Sequence, residues 1–390
     1  MSSLLMLSPA PLVEVAGGEV VLDVKFVEGM KLHCQLWPGP VRCVLWRDRR
    51  SIDDPMRYSV TQLGFELIVL DPGAPVPGLL LDESSLVYCA ADDLKHLNLP
   101  EAMRGRIGKL VYSVEQALAG RMAAGIAQHA KMRRRIGSVV YNLRKERHLR
   151  RALSQADGLH CNGYPAQVAY GRLSDRMLPY LDNRLRTPMI VRATEQEDRA
   201  RHLQSGAPLR LVWYGMLTPE SRIVDILPVA HLLANRGTAF TLELFGTGPE
   251  QGRLRDGIAA LGLSSHMRLS EPKGFDARLV PHLRQSADVF VSMRRLPTPL
   301  SSYVEALGCG LPILGVRNTM WSRLQAVSDA GWVVRRGGAG AMVAAIERLD
   351  TDRAAIVAAS DRAVSFARAN TFESVFARRM TDLRDIAQAE

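Results

Sequence analysis

The order of apolar segments constrains the fold of this chain more than any other feature of its sequence. In the second half, short apolar runs are separated by helical patterns such as RIVDILPVAHLLANRG, and the runs are LRLVWYG, TLELFGTG, HMRLSE, ADVFVSM and LPILGV. The first half shows SLLMLS, VRCVLW, FELIVLD and SSLVYCAADD, followed by a region over residues 105–130 that we interpret as helical. Such alternation is typical of parallel sheets built from βαβ units. The sequence therefore predicts an α/β fold with Rossmann-like parallel sheets.

The length of the chain predicts two domains. With 390 residues it exceeds the size at which a single core usually stops growing. A polar, charged segment suggests a first domain over 1–190, a linker over 191–206 and a second domain over 207–370. Residues 371–390 form an amphipathic pattern, which predicts a final helix that ends either domain, with a return to the first as one option. Two facing sheets would leave a cleft at the carboxyl ends of their strands, where ligands usually bind.

Composition excludes several classes of protein. A hydrophobic fraction of 47% and a charged fraction of 23% are those of a folded protein rather than a disordered one. No run of about eighteen apolar residues is present, and the amino terminus lacks the pattern of a signal peptide, so we expect a cytoplasmic protein. The five cysteines are scattered without a Cys-x-x-Cys pair. They predict neither a disulfide framework nor a zinc site.

The positive charge is concentrated in one stretch. The formal net charge is +10, and Lys131 to Arg151 contains nine Lys or Arg residues against the single acid Glu146. Such a stretch favours a polyanionic partner. An anionic membrane surface, with peripheral attachment to the inner membrane, is one interpretation, and a merely solvated helical face is the other. Nucleic acid is disfavoured, because Tyr141 is the single aromatic residue available there for base stacking.

The segment PTPLSSYVEALGCGLPILGV (297–316) has the features of an anion-binding helix start. Thr298 followed by Pro299 fits an N-cap and a first helical residue, which leaves the amides of Leu300, Ser301 and Ser302 free for a phosphate. Glu305 lies about two turns further along, where a carboxylate can accept two hydroxyl groups, as from a ribose. The alternative is a buried glutamate whose partners all belong to the protein.

Four segments of the second half, taken together, resemble a known family. WYGML, LELFGTGPE, ADVFVSM and YVEALGCGLPILGV, in this order, look like the nucleotide-sugar domain of the family-four retaining glycosyltransferases with the GT-B fold, over roughly residues 208–350. The resemblance implies that Glu305 holds the nucleotide ribose and that amides near Leu300 to Ser302 hold the diphosphate. It also implies that Gly246 and Gly248 form a turn beside the base. A plain strand-to-helix turn is the other interpretation of these glycines.

The sequence departs from the family pattern at two places. Pro297 occupies the position of a second glutamate that contacts donor-sugar hydroxyls in the family. The family's Gly-Arg-Leu-x-x-x-Lys-Gly begins here at Gly215 and reads GMLTPESRIVD, with Met216 and Ser221 at the two cationic positions. The candidate replacements, which we take as the catalytic cations of the diphosphate site, are Arg222, Arg294 and Arg295. The alternatives are that they are exposed surface arginines or that a neighbouring molecule supplies the cation.

The first half of the chain contains fewer candidate site residues. Gly17 and Gly18 match a family glycine pair that lets the backbone approach the diphosphate, a place where a Cβ would interfere. Glu115, interpreted as helical, and His160 are ionisable groups that could line the cleft, although satisfied or exposed side chains would explain them equally well. Asn162-Gly163 reads as a turn after a strand.

The resemblance implies a retaining hexosyltransferase that needs no metal. The donor would be a nucleotide diphosphate sugar of the UDP or GDP type, and the acceptor a glycan or a lipid-linked glycan in bacterial surface polysaccharide assembly. The lone Asp-x-Asp, Asp350 to Asp352, is interpreted as a helix-to-helix turn and not as a metal motif. Two other functions fit the sequence: a sugar-nucleotide epimerase, and a non-catalytic GT-B-like protein that acts through its basic surface.

Overall fold

The computed structural model describes residues 3–15, 17–48, 52, 55–127, 131–271, 274–335 and 338–389. The chain divides into two compact units. The first unit combines the residues up to Asp182 with those from Glu373 onward, and the second unit runs from Asn183 to Phe372. Each unit contains one main parallel sheet, so the predicted fold class of two Rossmann-like domains is confirmed.

The first unit is built around a seven-stranded parallel sheet with the strand order β10-β9-β8-β7-β1-β4-β6. The strands of this sheet are β1 (Leu4–Leu7), β4 (Val41–Trp46), β6 (Glu66–Leu70), β7 (Leu86–Ala90), β8 (Lys109–Val114), β9 (Gly158–Asn162) and β10 (Met177–Tyr180). A separate antiparallel sheet with the order β2-β3-β5 consists of β2 (Val13–Val15), β3 (Glu19–Asp23) and β5 (Pro55–Ser59).

Helices cover both faces of the seven-stranded sheet. They are α1 (Val24–Leu36), α2 (Gly78–Asp82), α3 (Leu99–Ala102), α4 (Leu118–Ala127), α5 (Met132–Leu153), α6 (Gly163–Tyr170) and the C-terminal α15 (Phe372–Gln388). Successive side chains of β1 enter different cores, as expected for a strand buried on both faces. Leu5 and Leu7 join the core that contains Leu149 of α5, whereas Leu4 joins the core that contains Leu383 of α15. The final helix is therefore part of the first unit.

The second unit has a six-stranded parallel sheet with the order β13-β12-β11-β14-β15-β16. Its strands are β11 (Leu209–Tyr214), β12 (Phe240–Phe245), β13 (Met267–Ser270), β14 (Val289–Ser292), β15 (Ile313–Val316) and β16 (Gly331–Val334). Its helices are α7 (Ala193–Gln204), α8 (Ile226–Asn235), α9 (Gln251–Ala260), α10 (Val280–Ser286), α11 (Ser301–Gly308), α12 (Thr319–Ser328), α13 (Gly338–Thr351) and α14 (Arg353–Arg368). The five strands predicted in this half from β11 to β15 are confirmed.

One predicted helical segment is wrong in its first half. Residues 105–130 were expected to be helical, but Lys109–Val114 forms β8, and α4 begins only at Leu118. Residues 128–130 of this segment lie outside the described ranges. The strand β8 lies between β7 and β9, and all its residues from Leu110 to Val114 are buried. A strand covered on both faces lacks the alternation of apolar and polar residues, so periodicity does not distinguish it from a buried helix.

The segment expected to be a linker, residues 191–206, contains a helix of the second unit. The helix α7 carries Arg199, whose side chain is buried. Its guanidinium donates hydrogen bonds to backbone carbonyls at the carboxyl ends of α10 and α11, those of Leu283, Arg284, Ala287, Cys309 and Gly310. A cation suits these positions, because helix carboxyl ends carry partial negative charge. Burial lowers the pKa of Arg199 to about 10. The segment has the charged composition of a linker, but one of its arginines belongs to the buried core.

We expect Arg199→Met to destabilise the second unit strongly. The free energy of unfolding should fall by about 3 kcal/mol or more, because several buried carbonyls lose a charged donor. The matched control is Arg201→Met on the same helix, whose side chain is 73% exposed. Its effect should stay within about 0.5 kcal/mol. Denaturant unfolding of both variants measures the difference, and equal stabilities would contradict the role of Arg199.

Candidate functional site

The predicted site residues of the second unit gather at one edge of its sheet. The strand order reverses between β11 and β14, which are neighbours in the sheet although two strands separate them in the chain. In doubly wound sheets, ligands bind beyond the carboxyl ends of the strands at such a reversal. The loops that follow β11, β12 and β14 contain, in this order, Gly215 and Arg222, Gly246 and Gly248, and Arg294 and Arg295.

Glycines allow two of these loops to touch. A Cβ on Gly246 would lie 2.1 Å from the carbonyl oxygen of Gly215, and a Cβ on Gly248 would lie 2.6 Å from that of Leu217. Gly215 and Gly248 also have φ values of +150° and +148°, a conformation that L-residues rarely adopt. Backbone hydrogen bonds join the loops, including Leu217 N–H to Thr247 C=O at 2.8 Å. The contact between loops is sufficient reason for the glycines, and contact with a nucleotide base stays a prediction.

The helix after β14 begins later than the sequence predicts. Thr298 was expected as the N-cap, but the helix α11 begins at Ser301 and the residue before it is Leu300. The Thr298 hydroxyl instead accepts a hydrogen bond of 2.9 Å from Arg294 Nε. The first hydrogen bond of the new turn runs from Tyr303 N–H to Leu300 C=O at 3.2 Å. The amides of Ser301 and Ser302 therefore form the amino end of α11, where an anion is favoured.

Glu305 is buried and bound by groups of the second unit. Its Oε1 accepts hydrogen bonds from Arg184 N–H at 3.2 Å and Arg184 Nε at 3.4 Å. Its Oε2 lies 3.3 Å from the Tyr214 hydroxyl, which is also 3.1 Å from the Ser302 carbonyl. Burial and the nearby Glu305 carboxylate raise the pKa of Tyr214, so this phenol stays protonated as a donor. These contacts hold the carboxylate at the first turns of α11. The ribose contact of Glu305 stays a prediction.

Two partners of Glu305 were missed by reasoning from the sequence. Arg184 also stacks on Phe275, with its guanidinium carbon 4.1 Å from the ring centroid. Tyr214 is the last residue of β11, directly before Gly215. The family pattern begins at Gly215, so it predicts no role for the tyrosine before it. No local pattern marks Arg184, which is 121 positions from Glu305 in the chain.

The structure brings two of the three candidate arginines to one carboxylate. Arg222 pairs with Asp225 at 2.7 Å, and Arg295 Nη2 lies 3.8 Å from the same Asp225 oxygen. Arg222 also has a left-handed backbone, with φ of +52°. Both side chains are about half exposed, at 43% and 42%. Asp225, three positions after Arg222, is a further residue that the sequence interpretation did not single out.

Arg294 differs from these two arginines in being mostly buried. Burial lowers the pKa of its guanidinium, while Tyr303 and the Glu220 carboxylate oppose that effect. At the family's two cationic positions, Met216 is 69% exposed and Ser221 is buried, with its hydroxyl donating to the Thr218 carbonyl at 2.6 Å. The arginines that follow β11 and β14 are thus among the cations at this edge of the sheet.

Gly17 and Gly18 lie in the first unit, in the hairpin between β2 and β3. Their φ values are +87° and +76°, and a Cβ at either position would meet no atom within 4 Å. Turn geometry therefore requires these glycines, since L-residues rarely adopt two consecutive left-handed conformations. Their contact with a diphosphate stays a prediction.

Glu115 and His160 are both engaged by other groups of the first unit. Glu115 follows β8 and is not helical, and it accepts hydrogen bonds from Asn162 at 2.5 Å and from the Tyr180 hydroxyl at 2.6 Å. His160 lies within β9, with Nε2 2.9 Å from Asp382 of α15. Burial lowers the pKa of His160. Both side chains therefore have hydrogen-bond partners within the first unit, as the alternative interpretation of these residues expects.

The basic stretch forms α5, and one face of it is buried. Lys145 and Glu146 are buried, and Glu146 accepts hydrogen bonds from Arg121 of α4 and from Arg150. Burial lowers the pKa of Lys145. The exposed face contains apolar side chains as well as arginines, and the apolar members are Met132, Ile136, Val140 and Leu143. The stretch is therefore amphipathic in a way that its charge alone does not predict.

The described residues contain neither a membrane-spanning helix nor a cluster of metal ligands. Within those ranges no helix is both long and apolar enough to cross a bilayer. Over the same part of the chain, no three His, Cys, Asp or Glu side chains are grouped to bind a metal ion. Asp352 is the N-cap of α14 and accepts from Ala355 N–H at 3.2 Å, so the Asp-x-Asp segment is a turn between helices, as predicted.

A comparison with protein families finds a match within the second unit. Residues 194–367 match the model described as glycosyl transferases group 1. The matched residues make up less than half of the chain. The match covers β11 to β16 and therefore every loop of the edge described above. The predicted resemblance to this group of glycosyltransferases is confirmed for the second unit. No curated protein matches the chain.

Solved structures extend the likeness to both units. HepE of Anabaena, in complex with UDP, has a TM-score of 0.68 and 14% identity, covering 99% of this chain and 100% of that chain. Sucrose-phosphate synthase of Thermosynechococcus elongatus has a TM-score of 0.64 and 16% identity over 99% and 98%. WaaG, a glycosyltransferase involved in lipopolysaccharide biosynthesis, has a TM-score of 0.60 and 12% identity over 99% and 100%. At such identities the likeness shows the fold, which is GT-B.

We expect Gly246→Ala to destabilise the second unit by about 2 kcal/mol, because the new methyl group would meet the Gly215 carbonyl and force the two loops apart. The matched control is Gly252→Ala in α9, where a Cβ would meet no atom within 4 Å. That change should stabilise by up to about 1 kcal/mol, since alanine favours helix. Thermal unfolding distinguishes them, and a stable Gly246→Ala variant would show that the loops do not touch.

Proposed function

We propose that this chain is a glycosyltransferase that moves a sugar from a nucleotide diphosphate sugar to a glycan or lipid-linked acceptor, with retention of anomeric configuration. One observation carries the proposal. The amino end of α11, the buried Glu305 and the arginines Arg222, Arg294 and Arg295 all belong to the carboxyl edge of the second sheet. The family assignment of residues 194–367 supports the nucleotide-sugar donor.

The nucleotide would bind with its ribose at Glu305 and its diphosphate at the start of α11. A carboxylate has room for further hydrogen bonds beyond those from Arg184 and Tyr214, since each oxygen can accept two. The amides of Ser301 and Ser302 would point at phosphate oxygens, aided by the helix dipole. HepE was solved with UDP and with UDP-glucose, which supports a uridine nucleotide over a guanosine one.

Retaining transfer requires this edge of the sheet to stabilise the negative charge of the leaving diphosphate. The bond between the anomeric carbon and the phosphate oxygen breaks, and the acceptor oxygen bonds to that carbon on the same face. The acceptor proton passes to the leaving phosphate. The transition state resembles an oxocarbenium ion while negative charge grows on the diphosphate. Fixed amides and cations stabilise such charge most effectively. We assign that task to Ser301, Ser302 and the three arginines, and we propose that no metal ion takes part.

The exposed arginines would replace the two cations of the family pattern. Met216 and Ser221 carry no charge, but Arg222 lies one position after Ser221 and meets Arg295 at Asp225. A diphosphate that approaches this pair would compete with one carboxylate for two guanidinium groups. Because both side chains are partly exposed, their reorientation toward a ligand involves little loss of packing. Pro297 leaves the donor sugar without the family's second glutamate, so sugar recognition would rest on other groups.

We expect UDP to raise the thermal unfolding midpoint of the protein, because a ligand that binds only the folded state stabilises it. In Glu305→Gln the affinity for UDP should fall by about 2 kcal/mol, since a hydroxyl of the ribose loses a charged acceptor. Titration of the midpoint against UDP, GDP and ADP measures this. A midpoint unaffected by every nucleotide would contradict the proposal and favour the non-catalytic alternative.

The control for this experiment is Glu347→Gln. Glu347 belongs to the same unit but pairs with Arg236 on the surface at 3.1 Å. This variant should respond to UDP as the unmodified protein does. If Glu305→Gln responds equally, Glu305 serves only the packing of α11.

We further propose that the protein acts in the cytoplasm at the inner membrane surface, during assembly of a bacterial surface polysaccharide. The exposed face of α5 supports this location. Met132, Ile136, Val140 and Leu143 follow the spacing of one helix face and are 66%, 59%, 42% and 47% exposed. Arginines on the same helix, Arg133, Arg134, Arg144 and Arg147, are exposed. Apolar side chains flanked by cations are typical of helices that lie in the surface of an anionic bilayer.

We expect the protein to sediment with phosphatidylglycerol vesicles but not with phosphatidylcholine vesicles, and less so as salt increases. Ile136→Asp with Val140→Asp should weaken binding at least about tenfold, because two apolar side chains no longer leave water. Val327→Asp in the second unit is the control, since Val327 is 64% exposed and lies outside α5. Equal binding by the α5 variant, or no binding to either vesicle, would contradict the proposed location.

A further inference from the structure

The first unit has a pocket that the transfer proposed above does not involve. It is an open pocket of about 460 Å³ that adjoins a smaller one of about 90 Å³, and Pro100 and the exposed Arg104 and Gln155 line both. Lys109 begins β8, and Asp157 directly precedes β9. Both residues line the larger cavity, which therefore opens at the amino ends of the strands. Ligands of doubly wound sheets bind at the opposite, carboxyl ends. The cavity is thus separate from the usual ligand edge of this sheet.

Positive charge dominates the walls of the two cavities. The cationic side chains that line them are Arg104, Arg106, Lys109 and Arg151, joined by His148. The carboxylates among the lining residues are Asp157 and Glu101. Asp157 is already engaged, because one of its oxygens accepts from Leu110 N–H at 2.7 Å. An anion would therefore meet an excess of positive charge.

Two of the arginines have guanidinium groups available to a ligand. Arg106 is paired with Asp82 at 2.8 Å, and Lys109 lies 3.9 Å from Asp157. Within the described ranges, by contrast, no carboxylate lies within ion-pair distance of Arg104 or Arg151. These two residues line the smaller cavity together with His148 and Gln155. These four side chains can all donate hydrogen bonds, and all line the smaller pocket.

We propose that this pair of cavities binds a phosphate group. Arginine forks donate parallel hydrogen bonds that match the oxygens of phosphate, and a doubly charged tetrahedral anion can accept from several such donors at once. The larger cavity has the size of an ordinary small-molecule site. Its rim includes Ile107, which is 99% exposed, and its walls include Pro100 and Met103. These apolar groups would adjoin any organic part attached to the phosphate. The proposal does not depend on the glycosyltransferase function.

The position of Arg151 suggests two sources of such a phosphate. Arg151 and His148 belong to the carboxyl-terminal half of α5, the same helix whose exposed face carries Ile136 and Val140. A lipid head group at the bilayer surface and a water-soluble phosphate ester share the chemistry that the cavity recognises. Phosphate probes with and without acyl chains distinguish these two sources.

Isothermal titration calorimetry on the full chain tests the proposal. The probes are inorganic phosphate, glycerol 1-phosphate, and dihexanoyl phosphatidate below its micelle concentration. We expect at least one probe to bind, and Arg104→Gln with Arg151→Gln to weaken that binding at least about tenfold, as when charged hydrogen bonds are lost. The control is Arg57→Gln with Arg172→Gln, two exposed arginines of the first unit that line neither cavity. This control should bind as the unmodified protein does.

The relative affinities of the three probes identify the source of the phosphate. Dihexanoyl phosphatidate binding more than about tenfold tighter than glycerol 1-phosphate would identify a lipid head group as the source, since extra apolar contact stabilises the complex. Similar affinities for all three probes would identify a soluble phosphate. Binding that is unchanged in Arg104→Gln with Arg151→Gln would place the phosphate elsewhere, for example in the second unit, and overturn the proposal. So would the absence of binding by every probe. An unchanged thermal midpoint of the variant shows that it remains folded.

Discussion

The buried guanidinium of Arg199 is the interaction on which the geometry of the second unit most depends. It joins the carboxyl ends of α10 and α11 through hydrogen bonds to their terminal carbonyls. A Cβ on Gly310 would lie 2.5 Å from Arg199 Nη1, and Gly310 has φ of +73°. A Cβ on Gly308 would lie 2.3 Å from Leu185. The Gly-Cys-Gly break that ends α11 therefore exists because the helix end is packed against Arg199 and Leu185, not only because the chain must turn.

Fixing one end of α11 also fixes the other. The helix is short, so the position of Ser301 and Ser302 at its amino end follows from the contacts at its carboxyl end. Glu305 lies between the two and is held by Arg184 and Tyr214. The same carboxylate would thus serve packing and ligand binding. A buried acid with firm partners is preorganised for hydroxyl groups, since it need not lose side-chain freedom when a ligand arrives.

Local patterns in the sequence predict the sheets well and the contacts between distant residues poorly. The apolar runs from β11 to β15 were identified because each is short, continuous and bounded by turn residues. The N-cap of α11 was misplaced, because Thr298 has the right chemistry but its hydroxyl is engaged by Arg294. The partners of Glu305 lie 121 and 91 positions away, beyond any local pattern. The same holds for Arg199, which looked like one more charge in a polar segment.

The most direct test of the account is hydrogen–deuterium exchange at the amino end of α11, with and without UDP. The central claim is that the amides of Ser301 and Ser302 hold the diphosphate of a nucleotide. An amide that donates to a bound phosphate exchanges more slowly, so we predict protection of both amides when UDP is present. Protection should also appear at the loop of Gly246 and Gly248. UDP binding without protection at Ser301 and Ser302 would contradict the claim, because the nucleotide would then occupy another site.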